Sequence, residues 1–157
     1  MAHAQVYDAL TVADIMLRIA KNDGQKMTPM KLLKLVYIAH GFALALLGRD
    51  LFKNRIEAWK YGPVIPDLYQ ATKKWGRGDI PLSLIGDLGD VDVDDEVKEF
   101  LEQVYAKYGH LDGIQLSYLT HQSGTPWDRI YSPYKRSAEI PDDLIKQHYE
   151  SMLVAQA

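Results

Sequence analysis

Residues 30–47 read MKLLKLVYIAHGFALALL. Fourteen of these 18 residues are apolar, the exceptions being Lys31, Lys34, His40 and Gly41. A helix that is apolar on nearly every side has to be surrounded by protein, so the stretch predicts a buried central helix. Its start is explicit. Thr28 can cap the helix, Pro29 suits the first helical position, and Met27 with Leu32 has the spacing of a hydrophobic staple. Gly48 marks the end. Lys31 and Lys34 lie close together at the N-terminal end, which predicts one narrow strip meeting solvent or a carboxylate. Gly41 predicts a close approach by another backbone, because glycine inside a helix costs about 1 kcal/mol relative to alanine. His40, on an apolar surface, reads as a hydrogen-bonded core residue.

The flanking sequence supplies helices to cover this one. Upstream, Thr11 is the expected cap, with Asp14 three residues on and Leu10 and Ile15 as a staple. Ile15, Met16, Ile19 and Ala20 form a stripe that ends near Gly24. Downstream, residues 49–59 fit a short strand or an extended loop, and Tyr61-Gly62-Pro63 fits a turn. Pro66 opens a helix with Leu68, Thr72 and Trp75 on one face, closed by Gly76. Residues 77–92 form a Gly- and Asp-rich connection in which 80–85 can add a small strand. Val93, Val97, Phe100, Leu101, Val104, Tyr105 and Tyr108 trace a further helical face, with Asp94, Asp95 and Glu96 at its positive end and Gly109 after it. Asp112 and Gln115 form a capping box stapled by Leu111 and Leu116, for a short helix carrying Leu116, Leu119 and Thr120 toward His121. Thr125-Pro126 with Asp128 opens a turn around Trp127 and Ile130, and Pro141-Asp142-Asp143 starts a last helix with Ile145, Tyr149 and Met152 in line. The expectation is a mainly α fold: residues 1–157 as one compact domain, a bundle of about six helices around the buried central helix, with at most a small β-hairpin.

Composition narrows the function classes. The chain has 157 residues, 47% hydrophobic and 25% charged, which excludes a disordered tail protein. Without cysteine there is no disulfide framework, thiolate zinc site or cysteine nucleophile. The first residues lack the basic and apolar blocks of a signal peptide. The apolar run Leu35 to Leu47 is shorter than the roughly 18 residues a bilayer requires, so no membrane association and a cytoplasmic location are expected. Charge is divided: residues 1–78 hold 12 basic and 6 acidic side chains, residues 79–157 hold 6 and 15. Such a split is either two solvated faces or a bipolar surface that steers a charged partner.

No catalytic set emerges. The five histidines include no pair three or four residues apart, so no helical metal pair exists, and His110-Leu111-Asp112 fits a helix-start turn. Ser117 and Ser123 lie near His121 in sequence, yet a nucleophile–base pair needs an orientation that spacing does not give. There is no G-x-S-x-G elbow and no phosphate loop around Gly76-Arg77-Gly78. No enzyme activity, metal or cofactor is therefore expected. The aromatic content, 10 Tyr, 3 Trp and 3 Phe, suits recognition, since Tyr and Trp are favoured in binding hot spots.

Two stretches carry a family resemblance. Met30-Lys31-Leu32-Leu33-Lys34-Leu35-Val36-Tyr37-Ile38-Ala39-His40-Gly41 resembles a K-L-x-K-L-x-Y-Y-A-x-G helix, with Ile38 where a second tyrosine is usual. Arg55-Ile56-Glu57-Ala58-Trp59-Lys60-Tyr61-Gly62-Pro63-Val64-Ile65-Pro66 resembles an E-A-W-x-Y-G-P-V-x-P segment. With Tyr108-Gly109, Leu116-Ser117, Leu119-Thr120-His121 and Pro126-Trp127 in the same order, residues 12–132 are similar to the Panacea domain family of SocA-like antitoxins and phage-associated GepA-like proteins. The resemblance implies a small helical antitoxin whose partner is a cognate protein toxin, neutralised either directly or by delivery to the ClpXP protease. Glu57, Trp59, Lys60, Tyr61 and Pro63, with His121 and Trp127, are the partner-binding candidates. The alternative is a helix-turn-helix-like nucleic-acid-binding regulator, with Asn22-Asp23-Gly24-Gln25 as the turn and Lys26, Lys31 and Lys34 after it. Against it, that turn exceeds the usual 3–4 residues and the second helix is too apolar for a groove.

Overall fold

The computed structural model describes residues 5–81 and 93–155. Among them are seven α-helices: α1 Ala9–Asn22, α2 Pro29–Phe42, α3 Pro66–Thr72, α4 Asp95–Tyr108, α5 Gly113–Thr120, α6 Pro126–Ile130 and α7 Asp142–Ala155. Three short strands, β1 Glu57–Trp59, β2 Gly62–Val64 and β3 Ala138–Glu139, complete the mainly α fold.

The central helix forms as its sequence dictates. The Thr28 side chain accepts from the Lys31 amide and Pro29 occupies the first turn. Every residue of α2 from Leu32 to Phe42 is buried, and α1, α4, α5, α7 and the hairpin pack around it. Only its first turn, with Met30 exposed and Lys31 half-buried, is open. Residues 43–47 continue it as a wider π turn, and Gly48 ends it with φ +64°. The combined helix Pro29–Leu47 has 19 residues and a mean hydropathy of 1.6, long and apolar enough to cross a membrane, but 72% of the apolar window is buried inside the protein. It is longer than the run Leu35 to Leu47 because the two lysines near its start are themselves built into the packing.

Several expectations are corrected. The first helix begins at Ala9, capped by Asp8, whose carboxylate accepts from the Leu10 amide at 2.8 Å. Thr11 lies inside the helix, and Asp14, fully buried, pairs with Arg18 at 3.0 Å instead of sitting at the helix start. Of the two lysines of the central helix, Lys31 is half-buried and donates to the Gly109 carbonyl at 2.6 Å, whereas Lys34 is buried and donates to the Pro63 carbonyl at 2.7 Å instead of meeting solvent or a carboxylate. The neighbour at Gly41 is the ring of Tyr149 on α7, not a backbone. On α5 the inward face is Leu116, Ser117 and Thr120, while Leu119 is 39% exposed.

The small hairpin is β1–β2, antiparallel with Glu57 opposite Val64 and Trp59 opposite Gly62; its turn is Lys60-Tyr61 rather than Tyr61-Gly62-Pro63, because Gly62 and Pro63 pair with β1. A third strand, β3, pairs antiparallel to the other edge of β1, giving the order β2-β1-β3. Two residues long, β3 is too short to leave an alternation signal. Ile80 is buried and its amide donates to the Met27 carbonyl; residues 80 and 81 are not in a strand, and 82–85 of the strand expected there lie outside the described residues. The capping box of Asp112 and Gln115 and the Thr125 cap form as expected.

Candidate partner-binding site

The hairpin is the most elaborately supported loop of the described chain, and the central helix supports it. Lys34, nine-tenths or more buried, reaches up from α2 and holds the Pro63 carbonyl. Burial pushes its amine down to about 7. Gly62, at φ +122°, allows the chain to pass over this amine, because a Cβ there would stand 3.0 Å from Lys34 Nζ. From α5, the Ser117 hydroxyl donates to the Tyr61 carbonyl at 2.8 Å. From α6, the Trp127 indole N–H donates to the Trp59 carbonyl. Within β1, Glu57 is buried and accepts from the Trp59 indole at 2.9 Å and from Arg55 at 2.7 Å, so its charge is paired.

These bonds place the candidate residues in two layers. Glu57 and Pro63 are buried, and Trp59 is half-buried with its ring edge-on to Tyr69 at 4.9 Å. Lys60 and Tyr61 form the tip: Tyr61 is 68% exposed, with the Lys60 ammonium 5.4 Å from its ring centre. His121 and Trp127, more than 60 residues away in sequence, lie alongside as an aromatic chain. The rings of His121 and Trp127 meet edge-on at 5.4 Å, Trp127 stacks on Tyr131 at 4.7 Å, and Tyr118 approaches His121 at 6.4 Å. All seven candidates thus gather on one side of the molecule. Exposed Ile114 and Tyr118, one helical turn apart on α5, and exposed Met30 at the head of α2 extend that side. Sequence reasoning missed Lys34, Ser117, Met30 and Ile114. Only Lys34 left a signal, as a charge inside an otherwise apolar helix.

The geometry also defines what His121 does. Its Nδ1 bonds the Ser117 carbonyl, and the Ser117 hydroxyl donates a hydrogen bond to the Tyr61 carbonyl, so serine and histidine are committed to backbone groups rather than to each other. Elsewhere, His40 is a hydrogen-bonded core residue as expected. Its Nε2 lies 2.9 Å from Asp142 and 3.7 Å from Asp50, and its ring stacks on Phe52 at 4.3 Å. The bond to His40 draws the Asp142 carboxyl down to about 2, while the hydrogen bond that Asp50 shares with Asp142, whose carboxylate accepts, raises Asp50. Among the described residues this is the one group whose His and carboxylate ligand atoms, all within 4.8 Å, could hold a metal ion; Lys53, 3.5 Å from Asp50, offsets part of its charge. Its members are 102 and 92 residues apart from Asp142, beyond any spacing rule.

The family described as "Antitoxin SocA-like, Panacea domain" matches residues 32–128, which include α2 from Leu32 on, the hairpin, α3, α4, α5 and the start of α6. The chain belongs to this family. A curated relative, "Antitoxin SocA" of Caulobacter vibrioides (strain NA1000 / CB15N), is 34% identical over 135 residues, covering 80% of this chain and 71% of the relative. No solved structure matches the chain. The matched span contains the whole hairpin and its three supports, Lys34, Ser117 and Trp127, so the bracing described above falls inside the antitoxin domain itself.

Proposed function

We propose that this antitoxin acts by binding a cognate protein toxin through the hairpin tip and the adjoining α5–α6 aromatic surface. The observation that carries the reading is the exposed Lys60–Tyr61 pair held on a backbone fixed from three helices. Recognition side chains work best when their mount is rigid, because little ordering entropy is then spent on binding. Exposed Ile114 and Tyr118 beside the tip supply apolar area of the kind that marks interaction sites. The protein acts by occupancy rather than turnover, in the cytoplasm, where its toxin would be made.

The test is co-expression with the protein encoded beside it. Lys60→Glu with Tyr61→Ala changes two exposed side chains, so thermal stability should stay within about 0.5 kcal/mol of the parent while neutralisation is lost. A stable double variant that still neutralises fully would remove the tip from the interface. Delivery of the toxin to ClpXP, the second mode the resemblance implies, would begin with the same contact. Toxin half-life in cells with and without ClpP separates the two modes.

A further inference from the structure

Next to the tip, between the hairpin, the head of α2 and α3, is a groove of about 400 Å³. Its floor is Leu33, Val64 and Lys34; Trp59, Tyr61 and Tyr69 stand as aromatic walls, with Met30 at one edge. Three lysines line it, Lys34, Lys60 and Lys73, and among the described residues no carboxylate does. Two acids lie two residues from a lining aromatic: Glu57 pairs with Arg55 and the Trp59 indole, and Asp67 accepts from the Asn54 amide at 2.8 Å, and neither lines the groove. Tyr61, Tyr69 and Met30 are 68%, 38% and 43% exposed, leaving the walls open to a visitor.

We propose that this groove receives an acidic, apolar segment of the toxin: one large apolar side chain seated against Leu33, Val64 and Tyr69, and a neighbouring carboxylate held by Lys60 and Lys73. The assignment rests on the toxin-binding reading above and extends it to a pocket off the hairpin tip. Charge complementarity selects the acid, because the exposed ammonium groups of Lys60 and Lys73, with no carboxylate lining the groove among the described residues, favour a carboxylate brought out of water. The size suits one large side chain with its adjoining backbone, at the lower end of ligand pockets. Leu33 and Val64 in the floor select against a nucleobase, most of whose ring nitrogens and carbonyls would be buried there without partners.

The probes are 3-phenylpropionate and its neutral amide, titrated into the full-length protein and followed by amide NMR. The acid should shift Trp59, Tyr61, Val64 and Thr72 and bind at least about tenfold tighter than the amide, a preference that Lys73→Glu abolishes. Equal binding of acid and amide, or shifts outside the groove, overturns the proposal, as does a ten-residue oligothymidylate that displaces the acid. Lys73 is exposed and lies in the turn after α3, off the hairpin, so its variant separates the two claims. Loss of neutralisation in a folded Lys73→Glu protein supports the groove as a toxin contact, and Lys73→Gln gives the same readout if charge reversal lowers stability. Full neutralisation by Lys73→Glu overturns the groove contact while the antitoxin reading stands. Failure of the parent protein to neutralise would sink the toxin-binding reading, and the toxin assignment of the groove with it.

Discussion

Gly41→Ala adds a single methyl to the most tightly surrounded helix of the fold. A Cβ on Gly41 would fall 3.0 Å from Cγ of Tyr149 and closer still to its Cδ2 and Cε2, whereas ordinary contact begins at 3.4 Å. The ring cannot simply step aside. It is 4% exposed, meets Phe42 edge-on at 4.7 Å and Tyr37 at 6.3 Å, and has His148 against its other side at 5.0 Å. Relief therefore requires α7 itself to move away from α2. Alanine returns about 1 kcal/mol of helix propensity. Overpacking a core costs about 1–3 kcal/mol, and a rigid ring hemmed in by three others belongs at the upper end of that range. The net is a loss of about 1–2 kcal/mol, or a fall in Tm of about 2–8 °C for a chain of this length. Thermal unfolding followed by circular dichroism measures it. Combining Gly41→Ala with Tyr149→Leu should recover part of the loss, so that the double-mutant cycle shows coupling of about 1 kcal/mol or more. A Gly41→Ala protein as stable as the parent, or more so, would falsify the packing of α7 against this glycine.

Two further outcomes follow from single groups. Because burial holds the Lys34 amine near 7 in the folded chain, below its unfolded value, the folded state binds fewer protons above that pH, and stability should rise as pH rises from about 7 toward 9.5, by at most about 1.4 kcal/mol per unit. Burial raises Tyr37, Tyr105 and Tyr149, which lose their stabilising contribution only above pH 10, so denaturant titrations of the parent and Lys34→Met between pH 6.5 and 9.5 isolate the slope; parallel curves would refute it. Asp8→Ala, which removes the true cap of α1, should cost about 1 kcal/mol, and Thr11→Ala, inside the helix, clearly less; the reverse order in urea denaturation would restore Thr11 as the cap.

What the sequence made legible was local. Thr28-Pro29, the box of Asp112 and Gln115 and the Thr125 cap each satisfy helix-start donors from within a few residues, and all three form. The first helix shows the limit of the same rule. Asp8 and Thr11 are both good caps, and only the backbone, extended at Asp8 with φ −82° and ψ 146°, decides between them. Everything set by distant partners was out of reach. The third strand depends on an edge of β1 reached from residue 138, and the reason for Gly41 is a tyrosine more than 100 residues later. At the candidate site, both groups of residues could be named, but not the bond from Trp127 to the Trp59 carbonyl that makes them one surface.

On the proposed reading, the Trp59 to Pro63 segment divides between residues that brace the fold and residues that would meet the partner. The two stretches that carry the family likeness are one physical unit: a lysine of the first grips the carbonyl of Pro63 in the second. Burying that ammonium is costly, and a single carbonyl bond offsets it only in part, so the hairpin is held at a price in stability. Gly62 has to be free of a side chain to admit the amine, and Glu57 has to be paired by Arg55 and the Trp59 indole to be buried. Glu57, Trp59, Gly62 and Pro63 are thereby occupied in fixing the backbone. Lys60 and Tyr61 take no part in that bracing through their side chains; the frame holds Tyr61 by its carbonyl and leaves its ring outward. Substitutions in the frame should therefore lower stability and neutralisation together, whereas substitutions at the tip should lower neutralisation alone. A Pro63 or Gly62 variant that kept its melting temperature but lost its partner would contradict this division.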